Sequence, residues 1–200
     1  MVAIKLRTWR TTFLFFNSLV RRKFGLSPNC KHLNQIFNYL RIDDNFSTSG
    51  QPSESDFELI SQAGFQTVIN LAPHNVENSL KDEAGLLHGL SIEYVHIPVD
   101  FFNPKEIDFR TFCDALNKRR GQKVWIHCAA NMRVSAFLFR YRTEQLGMDA
   151  LQAKLDLNQI WEPFDYLKPF VSGGLREWIK ILVKNLAKPD AESCSDIEKD

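Results

Sequence analysis

The 200-residue sequence contains four cysteines, Cys30, Cys113, Cys128 and Cys194, and no CxxC pair or metal-finger spacing among them. No cysteine-ligated metal is expected, and free thiols point to a reducing compartment such as the cytoplasm. No apolar run approaches the ~20 residues of a membrane span; Phe13–Phe16 is the longest candidate. There is no internal repeat, no low-complexity stretch apart from a polar tail, and no clean apolar core with a small-residue cleavage site to mark a secretory signal. A net charge of +1 argues against a general nucleic-acid binder.

That small net charge hides an asymmetry. Residues 1–42 carry eight Lys or Arg and no acid, which leaves the remainder at −7 and ends it in an acidic tail. The basic, part-apolar start fits an amphipathic helix packed on the domain. The alternatives are an organelle-targeting segment or a peripheral membrane contact through residues 1–25. The expected organisation is a basic N-terminal extension over 1–40, a catalytic-type domain over 41–187 and a disordered acidic tail over 188–200.

Within the domain, strand-like and helix-like stretches alternate. Residues 41–47 read as an edge strand leading into the tight turn Ser49–Pro52. Ser53 caps a helix with Asp56 as its capping-box partner and Gly64 as its stop. Residues 67–71, 92–97 and 123–127 read as strands, the first and the last of them buried. Helices are expected over 77–88, from Asn103-Pro104 to 120, and over 134–146, 149–160 and 174–186. The fold class is therefore α/β: a mainly parallel sheet of four to five strands with helices on both faces.

The chemistry gathers in Val124-Trp-Ile-His-Cys-Ala-Ala-Asn-Met-Arg133. Cys128 stands where a buried strand stops and a helix begins. Unpaired backbone N–H groups and the helix dipole there favour an anion and a thiolate. The loop residues Ala129, Ala130, Asn131 and Met132 would supply amides, and Arg133 a planar fork for two oxyanions. His127 could add a hydrogen bond, and Ser135 a hydroxyl for the sulfur. An inert core thiol is the bland alternative for Cys128 taken alone.

The His-Cys-loop-Arg segment resembles the signature of the protein tyrosine and dual-specificity phosphatase superfamily. With Thr48-Ser-Gly-Gln-Pro-Ser53, Gly64–Leu71 and Tyr94–Asp100, it resembles a mainly bacterial group of dual-specificity-like phosphatases, also called β-lactamase-hydrolase-like phosphatase-like domains. The resemblance covers roughly residues 41–170. It implies a cofactor-free hydrolase of phosphorylated proteins or small molecules, in which Cys128 forms a phosphocysteine and Asp100 protonates the leaving oxygen. Asp108 is a weaker candidate for the acid.

One departure separates the chain from the pattern. The superfamily has five residues between Cys and Arg, and here there are four. Aligned without a gap, the usual arginine falls on Val134, the usual glycine on Asn131 and the usual hydroxyl on Ser135. The short loop also resembles that of rhodanese-type sulfurtransferases, which carry a persulfide. A pseudophosphatase that binds phosphorylated ligands without turnover is the third reading. Asn70 and His74 follow a strand and could border the pocket. His96 reads as structural, and Trp161, Phe164, Tyr166 and Phe170 as a loop pinning the last helices to the core.

Overall fold

Two runs of four residues, Thr67–Asn70 and Val124–His127, are buried at every position, as strands covered on both faces must be. The computed structural model describes residues 6–25, 30–73 and 76–163. Its strands are β1 (Leu40–Arg41), β2 (Phe46–Ser49), β3 (Thr67–Asn70), β4 (Glu93–His96) and β5 (Val124–His127), in the order β1-β2-β5-β3-β4. The pairs β2–β5, β5–β3 and β3–β4 are parallel, and β1 alone is antiparallel.

The expected sheet is present with one correction: the strand expected over 41–47 is a hairpin. Asp43 accepts the backbone N–H groups of Asn45 and Phe46 and turns the chain between β1 and β2. It is β2, an inner strand, that pairs with β5.

Six helices are described: α1 (Leu6–Lys23), α2 (Glu54–Gln62), α3 (Glu83–Gly89), α4 (Glu106–Asn117), α5 (Met132–Arg140) and α6 (Ala150–Ile160). The Ser53–Asp56 capping box opens α2 as expected. Three boundaries differ. Asp82 rather than a residue near 77 caps α3. The start of α4 falls after Lys105, whose N–H is taken by the Asp108 carboxylate, not at Asn103-Pro104. Asp108 is thereby a capping group. The helix expected over 134–146 starts earlier, at Met132, and passes into a π turn at Tyr141–Gln145. The helix expected over 174–186, the aromatic residues Phe164, Tyr166 and Phe170, and the acidic tail lie outside the described residues.

The pleat of β5 divides the core. Val124, Ile126 and Cys128 point to one face, with Phe109, Phe112 and Leu116 of α4 and Val134, Phe137 and Leu138 of α5. Trp125 points to the other, with Phe57 and Ile60 of α2 and Leu87 of α3. Helices thus cover both faces. Trp161, just past α6, is fully buried against Phe101 and α5, as expected of a pin for the last elements.

Candidate active site

Cys128 follows the last residue of β5, and its side chain has no exposed surface. The chain then turns through Ala129, Ala130 and Asn131 into α5. Asn131 adopts φ +66° and ψ 0°, the left-handed region that glycine fills most easily and asparagine tolerates. This is the position where the family resemblance placed its glycine.

The loop is held from behind. Ala129 O accepts from Asn78 Nδ2 at 2.9 Å and from Gln51 N–H at 3.3 Å. Ala130 O accepts from Asn38 Nδ2 at 3.0 Å. The Asn131 amide donates to Asn38 O at 2.7 Å and to Thr48 Oγ1 at 2.9 Å. Gly50 bridges to Ala130, and a Cβ there would stand 2.4 Å from the Phe37 ring, so any larger residue would have to displace that ring. The turn Ser49–Pro52 is therefore a brace for the loop as well as a turn. With these carbonyls claimed on one side, the N–H groups of Ala129, Ala130 and Met132 have no partner among the described residues. Asn131 supplies no side-chain cap to α5 either. Free donors at a helix start form an anion cradle.

Arg133 stands at the rim. Its guanidinium carbon lies 5.2 Å from the centre of the Phe101 ring, and its Nε is buried without a partner among the described residues. Asp100, one residue before Phe101, is exposed and accepts the Phe102 N–H at 2.9 Å. The loop after β4 thus brings the acid candidate into the neighbourhood of the arginine. Val134 does not line the cradle: it is fully buried in the same core cluster as Cys128. Ser135 differs too. Its hydroxyl donates to Met132 O at 3.0 Å and accepts from Trp161 Nε1 at 3.1 Å, so its one proton is not directed at the sulfur.

His127 points to the opposite face of the sheet from Cys128 and is fully buried against Phe57, which corrects its reading as a substrate contact. Its Nε2 donates to Glu83 Oε1 at 3.0 Å. Glu83 also accepts from Gln51 Nε2 at 2.6 Å and Asn70 Nδ2 at 3.0 Å. Burial alone would raise the Glu83 carboxyl. The charge of His127 and hydrogen bonds from His127, Gln51 and Tyr94 outweigh it and hold it down to about 2.

A carboxyl depressed in the fold binds its proton more readily in the unfolded chain. Its stabilisation is therefore full above its ordinary value of 4.5 and fades as pH falls towards about 2. Urea unfolding should show wild type more stable than Glu83→Gln by roughly 2–3 kcal/mol near neutrality. The gap should narrow below about pH 4.5 and close only as pH falls to about 2; a gap independent of pH would exclude the ionised Glu83.

A family profile described as DSP-PTPase phosphatase fused to NAD+ kinase matches residues 36–161. The chain belongs to this phosphatase family. Its sequence and fold place it among phosphatase-like proteins. A DUF442 phosphatase-class protein of Shewanella putrefaciens CN-32 shares 31% identity with this family member. It aligns over 70% of this chain and 92% of its own, with a TM-score of 0.63. The β-lactamase hydrolase-like protein of Agrobacterium fabrum is 30% identical over 99 residues, 47% of this chain. The chain spans only 22% of that relative's length. The fold is shared by the catalytic core of the Saccharomyces cerevisiae PP-IP phosphatase Siw14, at 15% identity and TM-score 0.60 over 77% of this chain and 96% of that core. These relatives lend no support to sulfur transfer.

The residues that the sequence alone did not single out in this family member are those that hold the site rather than enter it. Asn38, Asn78 and Glu83 come from three separate segments that no spacing rule links to Cys128, and Gln51 stood in the Ser49–Pro52 turn with no sign of its bracing role. The one available signal was chemical: polar side chains flanking apolar stretches need partners when buried. Asn70 belongs with them, donating to Glu83 and to Tyr94 Oη and accepting from Ala72 N–H. His96 Nε2 is bonded to Ala72 O at 2.8 Å, in keeping with a structural role. His74 lies outside the described residues.

Proposed function

We propose that the loop after β5 hydrolyses phosphate monoesters through a phosphocysteine at Cys128. The observation that supports this best is the braced loop. Its carbonyls are tied to Asn38, Gln51 and Asn78, while its amides and the first turn of α5 remain available to a phosphoryl group.

In the first step the Cys128 thiolate attacks phosphorus. The ester P–O bond breaks, and the leaving oxygen takes a proton from Asp100. In the second step water attacks the phosphocysteine, gives its proton to the Asp100 carboxylate, and the S–P bond breaks to return the thiolate and inorganic phosphate. Arg133 and the amides of 129–133 hold the equatorial oxygens in both steps. Cys128 has no exposed surface, so residues around it must shift to admit substrate to the sulfur. Three free, buried cysteines are compatible with work in a reducing compartment.

Turnover of p-nitrophenyl phosphate and of a poorer leaving group, such as phenyl phosphate, tests the assignment of the acid. Asp100→Asn is expected to lose about 10²-fold in kcat on phenyl phosphate and much less on the nitrophenyl ester. Equal losses on both would remove Asp100 from the role of proton donor. The neutral control Asp108→Asn should leave the ratio unchanged.

A further inference from the structure

Helix α1 lies outside the residues matched by the phosphatase family, and it leaves most of its large apolar side chains uncovered. On its inner side polar contacts to the end of α6 sit beside half-buried Phe15 and Leu19. Thr11 Oγ1 donates to Ile160 O at 2.5 Å, Thr8 Oγ1 donates to Glu162 O at 3.0 Å, and Arg7 bonds Asn158 O. Thr8 and Thr11 are both buried by these contacts with the end of α6. The larger apolar set faces outward: Leu6, Trp9, Phe13, Phe16, Val20 and Phe24 are each between 54% and 82% exposed.

The outward residues form one stripe. At about 100° per residue these six positions fall in a sector about 80° wide, away from the two threonines. Trp9 and Phe13 stack at 5.5 Å, so the stripe is continuous at its N-terminal half. Arg10 and Arg21 are exposed and flank one edge of it. No acidic residue occurs anywhere in residues 1–42. Among the described residues no helix is long and apolar enough to cross a membrane. An exposed stripe of this kind, whose charged neighbours are all cations, matches the boundary between anionic headgroups and acyl chains. A second copy of the same face would bring like charges together, so charge disfavours self-pairing.

We infer that α1 is a peripheral membrane anchor, held in place through its threonine side and lying flat on an anionic lipid surface through Leu6, Trp9, Phe13, Phe16, Val20 and Phe24. The inference is independent of the proposed phosphatase mechanism.

The test is flotation of the full chain with vesicles of phosphatidylcholine alone and of phosphatidylcholine with about 30% phosphatidylserine. The wild type should float with the anionic vesicles, bind neutral ones weakly, and be released as NaCl rises to about 0.5 M. Trp9→Ser/Phe13→Ser/Phe16→Ser should lower the partition coefficient by roughly 100-fold. Its p-nitrophenyl phosphate turnover and melting curve should match wild type. A charge variant, Arg10→Gln/Arg21→Gln, should lose the preference for phosphatidylserine while keeping weak binding. Absence of wild-type binding, or equal binding by the triple variant, would overturn the inference. So would a wild-type dimer in solution that the triple variant converts to monomer while neither binds vesicles.

Discussion

Cys128→Ser is expected to lower kcat/KM on p-nitrophenyl phosphate by about 10⁴-fold or more, to the limit of detection. The size follows from the chemistry of the atom. Sulfur is a far stronger nucleophile towards phosphorus than a serine hydroxyl in the same place, and the hydroxyl is much harder to ionise. The cradle itself does not depend on sulfur. Its carbonyls are held by Asn38, Gln51 and Asn78, and Asn131 keeps its left-handed turn. Inorganic phosphate or vanadate should therefore bind the serine variant within about threefold of wild type. The hydroxyl replaces a fully buried thiol, so a stability loss of about 1–2 kcal/mol is expected and is checked by urea unfolding. Residual turnover above about 1% in a folded variant would remove Cys128 as nucleophile.

The second large effect belongs to Arg133. In a register without a gap its place would be that of Val134, and Val134 is buried in the core beside Cys128. Arg133 instead starts one residue earlier, above Phe101, with Nε buried and unpartnered among the described residues. A guanidinium in that state gains most when an oxyanion arrives. Arg133→Ala should cost about 10²–10³-fold in kcat/KM. Arg133→Lys should recover only part of it, since an ammonium keeps the charge and loses the fork. Arg133→Met keeps the length and the packing on Phe101; if it retained the wild-type rate, the arginine would be a rim residue and not an anion clamp. Val134→Ala should lower stability by about 1–3 kcal/mol and change the rate little.

The layers of the fold were legible because they rest on period and punctuation. The buried runs at 67–70 and 124–127, the Ser53–Asp56 cap and the Gly64 stop (φ +80°) all have local causes. The cysteine loop was legible for the same reason, down to an asparagine that accepts a left-handed turn. What stayed hidden had causes elsewhere in the chain. That His127 faces away from Cys128 follows from the pleat, once β5 is known to be central and covered on both faces. That the Ser135 hydroxyl is engaged follows from Trp161, 26 residues later. The hairpin at Asp43 was missed because 41–47 reads as one strand when its partner β5 is not in view.

The ties that orient the loop have a bearing on how the protein comes into being. Asn38, Thr48, Gln51 and Asn78 reach Ala129, Ala130 and Asn131 across separations of 51 to 93 residues. The parallel pairing of β2 with β5 is equally distant in sequence. Closing such distances is entropically slow and late in folding. A chain still emerging from the ribosome has all of Cys128's upstream braces before it has the cysteine, but none of them is aimed until β5 docks between β2 and β3. Competence should therefore appear together with the last cooperative step of refolding, and no earlier compact species should bind phosphate.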